Sequence, residues 1–267
     1  MLKDITIGQF FPGNSVLHRL DPRVKLVLTV AFIAAIFIPE TWVGLALAVV
    51  LTVVSFALSA LPVSLMWKSI KPILPVILFT AVLSVFYVKG GEVLFSWGIF
   101  TLYSKSLQNA AFLAVRIVCL IVGSSLLTYT TGPTTLTDAL ERLMKPLKVI
   151  RVPVHDLAMM MTIALRFIPT LIEETDKIMS AQKARGADLE SGNLIQRIRA
   201  LMPIMIPLFA SSFRRAYELA TAMECRCYNG GEGRTRMKSL KMAARDYIAL
   251  VVMALVIAGM ITINIVL

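Results

Sequence analysis

The chain has 267 residues, of which 57% are hydrophobic, a mean hydropathy of +0.78 and a formal net charge of +11. An apolar share above the roughly half of a soluble domain excludes an ordinary globular protein and points to an all-α integral membrane protein. The positive charge does not call for nucleic acid, because basic residues flanking membrane spans are the expected topological signal and meet anionic lipid heads.

Residues 1–21 form a polar leading segment. Lys3-Asp4 and Gly8-Gln9 precede no early apolar run with a small-residue cleavage site, so no secretory signal is expected there. Asp21-Pro22 reads as an N-cap followed by a first-turn proline, opening a first span over 22–38. Arg23 and Lys25 lie in its opening turns, where their charges can reach the headgroups. Pro39-Glu40 makes a tight turn into a second span over 41–61, an antiparallel hairpin, and a third span follows over 72–88. Each approaches or reaches the ~20 apolar residues that cross ~30 Å of hydrocarbon.

Lys89-Gly90-Gly91-Glu92 begins a loop with Phe95, Trp97, Phe100 and Tyr103, an aromatic density that fits a loop at the outer membrane interface better than a substrate-stacking surface. The fourth span, 108–129, is interrupted only by Arg116, which has no acidic residue in the spans to pair with and reads as a structural contact inside the bundle. Residues 1–131 thus make an N-terminal set of four transmembrane helices, and 246–267 a fifth.

Residues 132–245 differ in kind. A turn at Gly132-Pro133 leads to a helix with Thr135 as N-cap and Asp138 three residues on, carrying Leu136, Leu140, Leu143 and Leu147 at helical spacing. A long amphipathic helix over 156–185 puts Leu157, Met160, Ala164, Phe167, Leu171 and Ile178 on one side; Pro169 should kink it, since it removes a backbone donor and crowds the preceding turn. A third helix, 194–227, has an uncharged middle over 200–213 with Pro203 and Pro207, too short for a crossing. It ends at Asn229-Gly230-Gly231, before a basic linker. Two long helices lying as a hairpin against the inner membrane face fit this pattern better than two further spans.

Both helices contain an Ile-Pro step and finish in an arginine between small residues, Ala184-Arg185-Gly186 and Cys225-Arg226-Cys227. Helix-end chemistry accounts for one such end, because glycine suits the left-handed residue after a helix and the macrodipole favours a cation in the last turn by ~0.3–1 kcal/mol. Two in one region suit insertion into another subunit, since small flanks admit close approach and guanidinium is a planar fork of donors. Basic residues gather before the first span, between the second and third, and over 142–245, which places the N-terminus and the 132–245 coupling domain in the cytoplasm and the C-terminus outside.

The run His18-Arg19-Leu20-Asp21-Pro22-Arg23-Val24-Lys25 resembles the N-terminal signature of the transmembrane T component of energy-coupling factor (ECF) transporters. So do Arg166-Phe167-Ile168-Pro169 and Ala181-Gln182-Lys183-Ala184-Arg185-Gly186, and the similarity extends over essentially the whole chain. The resemblance implies a scaffold subunit of a bacterial or archaeal cell membrane, with a coupling domain whose arginine motifs dock into two ABC-type ATPase subunits. It also implies a partner S component, a small membrane protein that binds a vitamin or a transition metal ion. It assigns Ala184, Arg185 and Gly186 to the first docking motif and Cys225, Arg226 and Cys227 to the second, where the family commonly has Ala-Arg-Gly. The cysteine in place of that glycine bears on the local backbone shape.

No Gly-x-x-x-x-Gly-Lys-Ser/Thr loop occurs, so ATP and Mg are expected on partner ATPases and no cofactor in this chain. His18 and His155 are far apart in sequence and Cys225/Cys227 has no second ligand pair nearby, so no metal site is expected; nor does a catalytic constellation stand out. A carrier working alone would need paired intramembrane charges and inverted repeats, which the sequence does not offer.

Overall fold

The computed structural model describes residues 10–87, 90, 93–97, 100–187, 193–230 and 240–266. The readings that fall on residues 1–9, Lys89, Gly91, Glu92, Gly231 and the linker up to residue 239 lie outside these. The fold is an all-α membrane protein in two compact units: one takes the described residues of Gly8–Ala139 with those of Ser239–Leu267, the other those of Leu140–Lys238.

In the first unit, α1 (Pro22–Phe37) begins as expected: the Asp21 carboxylate accepts the Arg23 N–H. Helix α2 (Trp42–Ser59) is capped by Thr41, whose hydroxyl accepts the Gly44 N–H. Instead of starting at Pro72, the third helical run begins earlier, as α3 (Val63–Ile70), a 3-10 turn over Lys71–Ile73 and α4 (Leu74–Tyr87). Proline at the start of that turn lacks an N–H, and the ladder tightens there without ending.

The aromatic segment after α4 is not a plain loop. Strands β1 (Val93–Trp97) and β2 (Phe100–Tyr103) pair antiparallel, Trp97 opposite Phe100 and Val93 opposite Tyr103, with an irregularity between Val93 and Phe95. Aromatic and β-branched residues favour that extended backbone as much as an interfacial position. Helix α5 (Ser104–Thr130) then runs back along the bundle, and α9 (Ala244–Val266) closes the unit.

Side chains tie the helix ends together in two tiers. At one end the buried Asp246 carboxylate accepts the Asp21 N–H at 2.8 Å and the Ala243 N–H at 2.7 Å, joining the starts of α1 and α9. The buried Lys25 ammonium donates to the Thr130 carbonyl at 2.9 Å, to Thr131 Oγ1 at 3.3 Å and to the His18 carbonyl at 3.2 Å, bringing the end of α5 to the same level. At the other end the Glu40 N–H donates to Asn264 Oδ1 at 3.1 Å, and Arg116 donates to the Pro39 carbonyl while lying 4.8 Å over the Phe112 ring. Arg116 is thus the internal structural contact its isolation suggested. Helices α1 and α9 run parallel, α5 antiparallel to both, and the start of α1 and the end of α9 lie at opposite ends of the bundle.

Between these tiers the core is Phe32, Ala35, Ile36, Ala48, Cys119 and Met260, small side chains among large ones, as close helix packing in a membrane favours. A Cβ on Gly123 of α5 would sit 2.0 Å from the Phe32 ring, so only glycine admits that crossing. Val30, Phe37, Val53, Leu78 and Leu255 are exposed, as a lipid-facing surface requires.

In the second unit, which begins inside α6 (Pro133–Met144), helices α7 (Val154–Ala184) and α8 (Leu194–Cys225) dominate. The α6 start corrects the expected Thr135 cap: the Gly132 carbonyl accepts the Leu136 N–H and Pro133 takes the first helical position, where its missing N–H costs nothing. By length and hydropathy five helical runs among the described residues suffice to cross a membrane: Trp42–Ser59, Val63–Ser84, Ser104–Thr130, Val154–Ala184 and Ala244–Val266. Helix α1, at 16 residues, is about 24 Å long and falls short alone. Helix α7 has the lowest hydropathy of the five, and its half beyond Pro169 carries Glu173, Glu174, Asp176, Lys177 and Lys183, which hydrocarbon does not accept.

Candidate functional site: the two arginine-capped helix ends

Helix α7 runs unbroken through Pro169 for 31 residues and α8 through Pro203 and Pro207 for 32. The pair is antiparallel, as contacts between Gln182 and Pro203 and between Glu174 and Ser211 require. Glu174 is held from two sides, accepting from the Ser211 hydroxyl and, at 2.7 Å, from Arg215 Nη2. The Ser211 bond first, and then the Arg215 charge, keep its carboxyl below the ordinary glutamate range, against the opposing effect of burial. Sequence alone leaves Glu174 either solvated or a rim contact to a partner, because nothing local marks Ser211 and Arg215 as its neighbours.

A second link explains itself by the backbone chemistry of proline. Pro207 has no N–H, so the Pro203 carbonyl one turn earlier loses its helical donor. Gln182 Nε2 of α7 donates to that carbonyl at 3.3 Å. The side chain three residues before Arg185 therefore satisfies the acceptor that a proline in α8 exposes.

The two helix ends are built alike. At the α7 terminus Arg185 is the C-cap at φ −85°, and Gly186 follows at φ +86°. The Gly186 N–H donates to the Lys183 carbonyl and the Ala187 N–H to the Gln182 carbonyl, both at 3.0 Å. At the α8 terminus Arg226 is the C-cap at φ −95°, and Cys227 follows at φ +56°. The Cys227 N–H donates to the Glu224 carbonyl at 2.8 Å and the Tyr228 N–H to the Met223 carbonyl at 3.0 Å. Both are Schellman motifs, which satisfy the last carbonyls of a helix by reversing the chain through a left-handed residue. Cysteine adopts the conformation for which glycine is ordinarily chosen, so its presence does not alter the backbone shape of the second end.

Ala184, Arg185 and Gly186, and likewise Cys225, Arg226 and Cys227, are all exposed. No side-chain hydrogen bond or ion pair engages Arg185 or Arg226 among the described residues, so each guanidinium keeps its five donors for another partner. Each sits beside the negative end of its helix dipole and is flanked by small side chains, Ala181 and Ala184 at one end, Ala222 and Cys225 at the other. The cysteines are free thiols. The six residues singled out in the sequence lie at these two ends, and Gly186 takes the left-handed conformation expected of it; the matching conformation of Cys227 carries no local signal, since few non-glycine residues adopt positive φ.

Residues 13–237 match the family model described as CbiQ, cobalt transport protein. The chain is 56% identical over 250 residues to the energy-coupling factor transporter transmembrane protein EcfT of Clostridium kluyveri, covering 93% of each. It is 52% identical over 246 residues to that of Ruminiclostridium cellulolyticum, covering 92% of each, and 49% identical over 258 residues to that of Thermosediminibacter oceani, covering 97% of each. With this likeness running almost end to end through both the membrane helices and the arginine-capped pair, the chain belongs to the CbiQ family and is a non-catalytic, multi-pass transmembrane T component of an ECF transporter.

Proposed function

We propose that this subunit couples two ABC-type ATPases to a small substrate-binding membrane protein, the S component, and so drives import of a vitamin or metal ion. The observation that carries the reading is the matched pair of exposed arginine caps, two copies of one shape suited to two copies, or two homologues, of one groove. Each guanidinium would bind carboxylates or backbone carbonyls in such a groove. ATP and Mg would be held by the partners, since this sequence has no P-loop. Closure of the ATPases would move the ends of α7 and α8, and the proline sites at 169, 203 and 207 would take up the change of angle. The distribution of basic residues orients the start of α1 and the coupling unit toward the cytoplasm and the end of α9 outward.

The test is copurification of tagged chain with its partner subunits, together with uptake. Arg185→Glu and Arg226→Glu should each insert normally yet lower ATPase retention at least about tenfold, as loss of a buried charge pair at an interface does. The double variant should retain no ATPase and support no uptake. Normal uptake by the double variant would sink the proposal.

A further inference from the structure

Helices α1, α2, α5 and α9 leave a crevice of about 340 Å³ between them at the end of the bundle where Lys25 and Asp246 join the helices. Its inner end is apolar, formed by Phe32, Leu51, Gly123 and Met253. Its outer end carries Lys25 and Arg245. The Lys25 ammonium spends its three donors on His18, Thr130 and Thr131. Arg245 is exposed and makes no side-chain hydrogen bond or ion pair among the described residues.

We infer that this crevice holds one acyl chain of an anionic phospholipid, with the headgroup phosphate on Arg245. The shape selects the occupant. From Arg245 to Met253 the crevice follows α9 for eight residue steps, about 12 Å. Spread over that length, and with the radius of a water molecule added on each side, its volume leaves an opening about 9 Å across, narrower than a helix of 10–12 Å diameter and sufficient for a hydrocarbon chain. Water gains little at the inner end, where Phe32, Leu51, Gly123 and Met253 offer no polar side chain; Thr29 and Ser55 lie nearer the mouth. Charge settles the headgroup: an arginine with free donors at the level of the helix ends, above an apolar slot, binds a phosphate bidentately.

Full-length chain reconstituted in nanodiscs of equal phosphatidylglycerol and phosphatidylethanolamine, then released for native mass spectrometry, tests this. One phosphatidylglycerol should remain bound per chain. Arg245→Gln should lower its preference over phosphatidylethanolamine about fivefold, the share one basic residue contributes near a membrane surface. Ala249→Phe, which fills the slot from α9, should expel the lipid; Ser55→Phe fills it from α2 and serves if the first variant does not fold. Equal retention of the two lipids by the unaltered chain, no retained lipid, or lipid bound undiminished in a folded slot-filling variant would each overturn the inference. So would photocrosslinking from position 249 that captures polypeptide in place of lipid.

Discussion

The ends of α7 and α8 reach the same geometry with different residues, and the difference separates what shape requires from what stability prefers. Gly186 takes its positive φ freely, and a Cβ there would meet nothing within 4 Å, so only backbone strain disfavours substitution. Cys227 carries a Cβ in the same region and bears that strain, about 1–2 kcal/mol for an L-residue. The α8 end is therefore held in a conformation its own residue resists, by the Cys227 and Tyr228 hydrogen bonds and by what precedes them in the helix.

Valine substitutions should break the comparison most strongly. Gly186→Val introduces both a Cβ and a β-branch at positive φ and should cost about 2 kcal/mol in the last turn of α7, whereas Cys227→Val adds only the branch and should cost about half as much. Amide exchange at Gly186 and Ala187, against that at Cys227 and Tyr228, measures the two; equal losses would show that Cys227 bears no strain. In the opposite direction Cys227→Gly should stabilise the α8 end by about 1 kcal/mol and slow exchange at Tyr228.

The smallest effect concerns the clamp that holds the two helices together. Because the folded state depresses the Glu174 carboxyl, its contribution is present at neutral pH and lost as pH falls below the ordinary glutamate range of about 4.3. Exchange along α7 near Glu174 should accelerate below that range in the native chain. In Glu174→Gln the same region should respond little to acid, while both Schellman ends stay unchanged.

What the sequence displayed was local chemistry. Asp21-Pro22 announced the start of α1, Gly186 the end of α7, and apolar run length the helices α2, α5 and α9. What it hid was pairing across distance: Asp246 with the Asp21 backbone, Arg116 with the Pro39 carbonyl, Gln182 with the carbonyl exposed by Pro207. Each of these polar groups looks unpaired until tertiary structure supplies the other half. The β1–β2 hairpin was missed for another reason, since an aromatic segment serves equally as an interfacial loop or as strands, and pairing decides between them.

The Asp246 link also orders events at the ribosome. The first helix to be made relies on a carboxylate that lies 225 residues later in the chain. At ~5–20 residues per second, synthesis of that stretch takes roughly 10–45 s. During that interval α1 can already dock through Lys25 on α5, but its first turn lacks its final acceptor. The membrane bundle is therefore completed only after the coupling helices have emerged, and an unfinished chain lacks the latch that joins its two ends.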